Sequence, residues 1–203
     1  MRPLLAALAA TLALALPAHA AEPVIVAFGD SLTAGLGVTP EDSYPARLQA
    51  KLRAEGYAYR VVNAGSSGDT TAGGLRRVDW ALKNKPEVVI VALGANDALR
   101  GQDLASVRAN LDAMVARFQK AGARVLVAGM EVPPNYGARY AADFRRLFRE
   151  VALKRGAAFM PFLLDGVAGN TRLNQPDGIH PTAEGYRVVV DHLWPFLKPL
   201  LAR

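Results

Sequence analysis

Ser31 closes the tripeptide Gly29-Asp30-Ser31 at the end of a short apolar run, Val24 to Phe28. A hydroxyl there is a candidate nucleophile, but serine attacks poorly until a base takes its proton, and histidine is the side chain suited to that near neutral pH. Beyond residue 20 the chain holds two histidines, His180 and His192. His180 stands in Asp177-Gly178-Ile179-His180-Pro181, while His192 stands in a helix-like stretch without glycine-rich, polar company. His180 is therefore the candidate base. Asp177, three residues earlier, is the candidate partner. A turn at Gly178 would fold its carboxylate onto one ring nitrogen and leave the other free to face Ser31. The competing role for Asp177 is a cap on the turn or on the helix that follows.

Attack on a carbonyl also needs hydrogen-bond donors aimed at the oxygen that gains charge. Backbone N–H groups in glycine-rich turns suit that task, and Gly68 in Ser67-Gly68-Asp69-Thr70 is one candidate. The Asn96 side-chain amide, in Gly94-Ala95-Asn96-Asp97, is a second, and the Ser31 N–H is a third. Each of these has a plain structural alternative, a tight turn or a satisfied loop, but together they form one set. Asp30 and Asp97 are read as acceptors that fix loops, Asp97 ordering the Asn96 turn. Thr33 stands where the Gly-x-Ser-x-Gly nucleophile elbow would place glycine, so that motif is absent.

Such a set works only if the fold gathers it. Val24 to Phe28 reads as a buried strand, short and rich in β-branched residues. Further strands are expected at Tyr59–Asn63, Glu87–Leu93 and Arg124–Gly129, with a short one at Ala157–Phe162. Helices are expected at Ser43–Glu55, Thr70–Lys83, Leu104–Lys120, Ala138–Lys154 and Thr182–Leu200, the last disturbed by Pro195 and Pro199. Strands alternating with helices imply an α/β fold, a parallel sheet with helices on both faces. All strand C-termini then lie at one edge, where open α/β sheets bind ligands. Three polar, glycine-rich segments follow strands: Gly29 to Ser31, Gly65 to Asp69, and Gly94 to Asp97.

The 203 residues suit one domain, and 51% hydrophobic with 21% charged residues is a globular composition. The absence of cysteine excludes disulfides, thiolate metal sites and cysteine nucleophiles. Met1-Arg2, the Leu/Ala run from Pro3 to Leu16, and the small-x-small ending Ala18-His19-Ala20 read as a signal peptide over residues 1–20, cleaved after Ala20. The run is shorter than the roughly 20 residues of a spanning helix. A mature domain over 21–203, periplasmic or secreted and without an integral membrane segment, is expected. The formal charge is +6, from 24 basic and 18 acidic residues, and falls to +5 without Arg2. The basic residues are dispersed, in pairs such as Arg76-Arg77 and Arg145-Arg146, which reads as a solvated surface and excludes a nucleic-acid stripe.

The four segments Gly29-Asp30-Ser31-Leu32, Gly68, Gly94-x-Asn96-Asp97 and Asp177-x-x-His180-Pro181 stand in the order and spacing of the SGNH hydrolases, the GDSL esterase/lipase family, which the chain resembles over its whole mature length. The resemblance implies a flavodoxin-like three-layer α/β/α sandwich of five parallel strands. It also implies Ser31 as nucleophile, His180 as base, Asp177 as its partner, and an oxyanion hole of Ser31, Gly68 and Asn96. Gly65 to Thr71, and Pro133 to Gly137 with Arg139-Tyr140, are similar to the small periplasmic branch of acyl-CoA thioesterases, lysophospholipases and arylesterases. Asp97 to Gly101 is similar to a mobile loop bordering the acyl groove in that branch, and Ala95, where several members carry glycine, would stiffen it.

The expected function is serine-dependent hydrolysis of carboxylic esters and thioesters, with no metal and no organic cofactor. The expected partner is a small acyl substrate, and the chain is expected to act as a monomer. A carbohydrate O-acetylesterase and a non-catalytic anion-binding α/β protein are the alternatives.

Overall fold

The structure is a computed structural model that describes residues 22–202; the expected signal segment, residues 1–20, lies outside them. Five strands form one parallel sheet in the order β2-β1-β3-β4-β5. These are β1 (Val24–Gly29), β2 (Arg60–Gly65), β3 (Val88–Ala92), β4 (Arg124–Ala128) and β5 (Ala158–Met160). Every residue of β1 and β3 is buried, as their unbroken β-branched and aliphatic composition requires of strands covered on both faces. The edge strand β2 alternates less cleanly and is half exposed.

Eight α-helices complete the described chain: α1 (Ser31–Ala34), α2 (Tyr44–Ala54), α3 (Thr71–Arg76), α4 (Val78–Leu82), α5 (Ala95–Leu99), α6 (Leu104–Lys120), α7 (Ala138–Arg155) and α8 (Ala183–Leu197). Helices α2 and α8 pack together on one face, and α3, α6 and α7 on the other. This is the expected three-layer sandwich. Aromatic edges lock the second layer to the sheet, with Phe28 of β1 meeting Phe118 of α6 at 5.3 Å between centroids. Among the described residues no helix is long and apolar enough to cross a membrane.

The chain runs from β1 outward to β2, then returns past β1 to β3. The winding therefore reverses between β1 and β3, and a crevice opens beyond their C-terminal ends. The turns after β1 and β3 are the ones that carry Ser31 and Asn96.

Two local expectations differ from the observed structure. The helix expected over Thr70–Lys83 is two helices, because the backbone bends at Arg77 (φ −103°, ψ 11°). At that bend the Arg77 side chain points inward to three oxygen acceptors. The segment after β3, expected as a loop, is the short helix α5, with Ala95 as its first residue. Pro195 is accommodated inside α8, which ends at Leu197 and tightens into a 3₁₀ turn at Lys198–Leu200.

Candidate active site

Ser31 is the first residue of α1, and the sharp exit from β1 is made possible by Gly29. A Cβ at Gly29 would lie 1.9 Å from Thr33 Oγ1 and 2.7 Å from the Ala92 carbonyl oxygen, so only glycine fits between β3 and the returning turn. Asp30 caps α1, its Oδ1 accepting from the Leu32 N–H at 3.0 Å. The hydroxyl thus sits on a rigid strand end with its side chain aimed into the crevice.

His180 arrives from the loop before α8. Its Nε2 lies 2.9 Å from Ser31 Oγ, and its Nδ1 lies 2.7 Å from Asp177 Oδ2. A carboxylate only accepts, so Nδ1 carries the ring hydrogen and Nε2 of the neutral imidazole is left as acceptor for the serine hydroxyl. The turn at Gly178 brings Asp177 back onto the ring, as its spacing to His180 suggests. The other carboxylate oxygen accepts the Ile179 and His180 N–H groups, each at 3.0 Å. The bond to His180 and these two backbone donors hold the Asp177 carboxyl down at about 2. Gln175 anchors the loop, its backbone N–H donating to the His180 carbonyl at 2.7 Å and its side-chain amide donating to the Leu36 and Pro181 carbonyls.

Gly68 and Asn96 stand in the segments that follow β2 and β3. Gly68 adopts φ +79°, a conformation side chains disfavour. Among the described residues neither the Gly68 nor the Ser31 N–H has an acceptor. The Asn96 Nδ2 donates to the Asp69 carbonyl at 3.0 Å and approaches Asp30 Oδ2 at 3.4 Å. Arg100, just past α5, donates to the Gly68 carbonyl at 2.9 Å and so ties the segment after β3 to this turn.

Asp97, expected to order the Asn96 turn, bonds outside it. Its two oxygens accept the Thr71 N–H at 2.8 Å and the Thr71 hydroxyl at 2.6 Å, joining α5 to the start of α3. Asp30 is buried behind Ser31, and desolvation pushes its carboxyl up to about 6, offset in part by the Leu32 N–H and by His180. His192 lies away from this cluster, its Nδ1 3.5 Å from Asp165 on the surface.

A cavity of about 480 Å³ opens beside these groups. Ser31, Asn96, His180, Glu131 and Asn174 are its polar lining, and Leu99, Met130, Val132, Pro133, Phe162 and Leu164 supply apolar walls. Leu99 belongs to the Asp97–Gly101 segment and Pro133 to the Pro133–Gly137 segment, so both segments singled out in the sequence border it.

The sequence pattern puts Arg77 on a solvated basic surface with Arg76. It points inward instead, because the α3–α4 bend turns it beneath the sheet edge, where Asp69 and two carbonyls receive it. The only signal in the sequence, an aspartate eight residues before an arginine, exceeds the three- or four-residue spacing at which helical side chains meet, and so carries no message.

The sequence pattern of the GDSL-like Lipase/Acylhydrolase family matches residues 27–188. The chain is 44% identical to Esterase TesA of Pseudomonas aeruginosa over 184 residues, 90% of this chain and 92% of that protein. It is 33% identical to Thioesterase 1/protease 1/lysophospholipase L1 of Escherichia coli K12 over 183 residues, 90% of this chain and 86% of that protein. The crystal structure of TesA superposes with a TM-score of 0.86 over 88% of this chain and 99% of that one.

Proposed function

The chain belongs to the GDSL-like lipase/acylhydrolase family and is an ester hydrolase, and from that premise we propose that it cleaves acyl esters and thioesters with Ser31 as nucleophile. Ser31 Oγ attacks the carbonyl carbon while His180 Nε2 takes the hydroxyl proton. Asp177 holds the ring in the receptive tautomer and stabilises the imidazolium. Charge on the carbonyl oxygen is met by the Ser31 and Gly68 N–H groups and by Asn96 Nδ2. His180 then gives its proton to the departing alcohol or thiol, leaving an acyl-serine. A water deprotonated by the same imidazole releases the acid and restores Ser31. The residues named need no metal or organic cofactor for any of these steps.

The observation that carries this proposal is the continuous contact from Asp177 Oδ2 through both ring nitrogens to Ser31 Oγ, spanning 149 residues of sequence in its second link. The free N–H groups beside it supply what a lone Ser–His pair would lack. The apolar cavity suits an acyl chain of several carbons better than an acetylated sugar, whose hydroxyls would lose water against aliphatic walls. Small esters and thioesters of the arylesterase, lysophospholipase and acyl-CoA thioesterase kind are the proposed substrates. Export to the periplasm or beyond, with residues 1–20 removed, completes the proposal.

Hydrolysis of p-nitrophenyl butyrate by the purified chain tests the mechanism. Ser31→Ala is expected to lower kcat by about 10⁶-fold, the scale seen when a serine hydrolase loses its nucleophile. Turnover by Ser31→Ala close to that of the unaltered enzyme overturns the assignment.

A further inference from the structure

The chemistry just described makes no use of Arg77, yet this side chain touches the segments that bring the Ser31 and Gly68 donors to the oxyanion site, and reaches the third donor, Asn96, through Asp69. Its Nη2 donates to the Gly29 carbonyl at 2.6 Å, two residues before Ser31. Its Nη1 donates to the Ala64 carbonyl at 2.7 Å, at the end of β2 where the Gly68 turn begins. Its Nε donates to Asp69 Oδ2 at 2.5 Å. The Asp69 carbonyl in turn receives Asn96 Nδ2 at 3.0 Å. The guanidinium also lies over the Phe28 ring, 4.1 Å from its centroid. We infer that Arg77 is a positioning residue, which holds the turns bearing Ser31 and Gly68, and the acceptor that orients Asn96, in one fixed register.

Three physical points favour positioning over simple packing. The guanidinium is a planar fork whose donors leave in fixed directions, so one side chain can set the relative placement of three separate acceptors; an ammonium cannot. The ion pair with Asp69 is largely buried, the side chains being 21% and 14% exposed, and a buried pair is weak support for stability because desolvation offsets its attraction. Finally, α3 is fastened independently, by Asp97 to Thr71 at its start, so Arg77 is not needed to hold that helix in place. The ends of β1 and β2 are also paired through the backbone, the Ser66 N–H donating to the same Gly29 carbonyl at 3.0 Å; what Arg77 adds is the side-chain link from these two strand ends to Asp69, whose carbonyl receives Asn96. Oxyanion stabilisation depends on the spacing of these segments, since a misplacement of about 1 Å costs on the order of 100-fold in rate.

The inference rests on Ser31 being the nucleophile, and its test separates the two. Arg77→Lys keeps the charge and the stem but loses the fork. With p-nitrophenyl butyrate its kcat is expected to fall about 100-fold while KM stays within about threefold. The inhibition constant of 1-butylboronic acid, which forms a tetrahedral adduct on an active serine, is expected to rise in the same proportion as kcat falls. Wild-type kcat in a folded Arg77→Lys protein overturns the inference, as does a lower kcat with boronate affinity unchanged. If Arg77→Lys does not fold, Asp69→Asn carries the test. That variant keeps the arginine and weakens only its pairing, so about a tenfold loss of kcat with a parallel loss of boronate affinity is expected. Unchanged kcat and boronate affinity in Asp69→Asn overturn the inference. Failure of the nucleophile assignment looks different: Ser31→Ala would then retain turnover, whatever Arg77→Lys does.

Discussion

Asp30, in the turn that carries Ser31, is 1% exposed, whereas Asp177, in the loop that carries His180, has a side chain 46% exposed. Both carboxylates lie beside the same Ser–His pair, and they are driven in opposite directions. Burial dominates at Asp30, where the one firm donor is the Leu32 N–H, so the neutral form is favoured and the carboxyl rises to about 6. Hydrogen bonding dominates at Asp177, where His180 and two backbone N–H groups converge and solvent is close, so the charged form is favoured and the carboxyl falls to about 2. Proximity to Ser31 in sequence is therefore a poor guide to which aspartate contacts the histidine. The carboxylate suited to pairing with an imidazolium is the one that stays charged, on a loop whose backbone N–H groups converge on it. The Ser31 turn is built in the opposite way. It is rigid, glycine-dependent and backed by buried polar groups, so that the hydroxyl and the backbone donors cannot drift.

The largest effect that would sharpen this contrast is on turnover. Asp177→Asn is expected to lower kcat by about 10⁴-fold, since it can leave the ring in the wrong tautomer. Asp30→Asn removes a single long contact to Asn96 and is expected to cost about tenfold or less. Steady-state kinetics on both variants decide it, and equal losses would break the comparison.

A second contrast concerns stability against pH. Between about pH 4 and 6 the unfolded chain has released the Asp30 proton and the folded chain still holds it, so stability falls as pH rises through that window. Asp30→Asn is expected to remove that decline and, above pH 7, to gain on the order of 3 kcal/mol relative to the unaltered chain. Asp177 works in the reverse sense. Its contribution is present above its ordinary value of 3.8 and is lost as pH falls towards 2, so Asp177→Asn is expected to flatten the acid limb. Denaturant titrations at a series of pH values read both, and a decline of the same sign for the two aspartates would contradict the physical account.

The smallest effect belongs to the second Asp–His pair. His192 and Asp165 are both exposed and remote from Ser31, so His192→Gln is expected to leave kcat/KM within about twofold. A loss approaching that of Asp177→Asn would mean that the exposed pair, rather than the loop pair, serves the chemistry.

Much of the architecture is legible in the amino-acid sequence. The buried strands at Val24 and Val88 show in their β-branched runs, and α6 falls where its periodicity and the Gly122 stop place it. The parallel sheet follows from alternation alone, and with it the expectation that three glycine-rich segments share one edge. The short elements are not legible. A four-residue helix such as α1 or a five-residue one such as α5 is too brief for a hydrophobic period to register, and each is held by tertiary contacts rather than propensity. The break at Arg77 is hidden for a related reason, because nothing in Leu75-Arg76-Arg77-Val78 disfavours a continuous helix.

What the sequence determines by itself is the set of candidate groups and their order. Scarcity of histidine isolates His180, the Asp177-x-x-His180 spacing allows a local turn, and the glycine-rich segments mark Gly68 and Asn96. These are properties of residue type and short spacing, which a chain carries whether or not it is folded. Tertiary structure alone decides how the groups are held together. It sets the 2.9 Å between Ser31 and His180, the opposite environments of Asp30 and Asp177, and the reach of Arg77 to carbonyls of two different strands. Desolvation and long-range hydrogen bonds depend on neighbours that lie tens of residues away along the chain, so no reading of local pattern contains them.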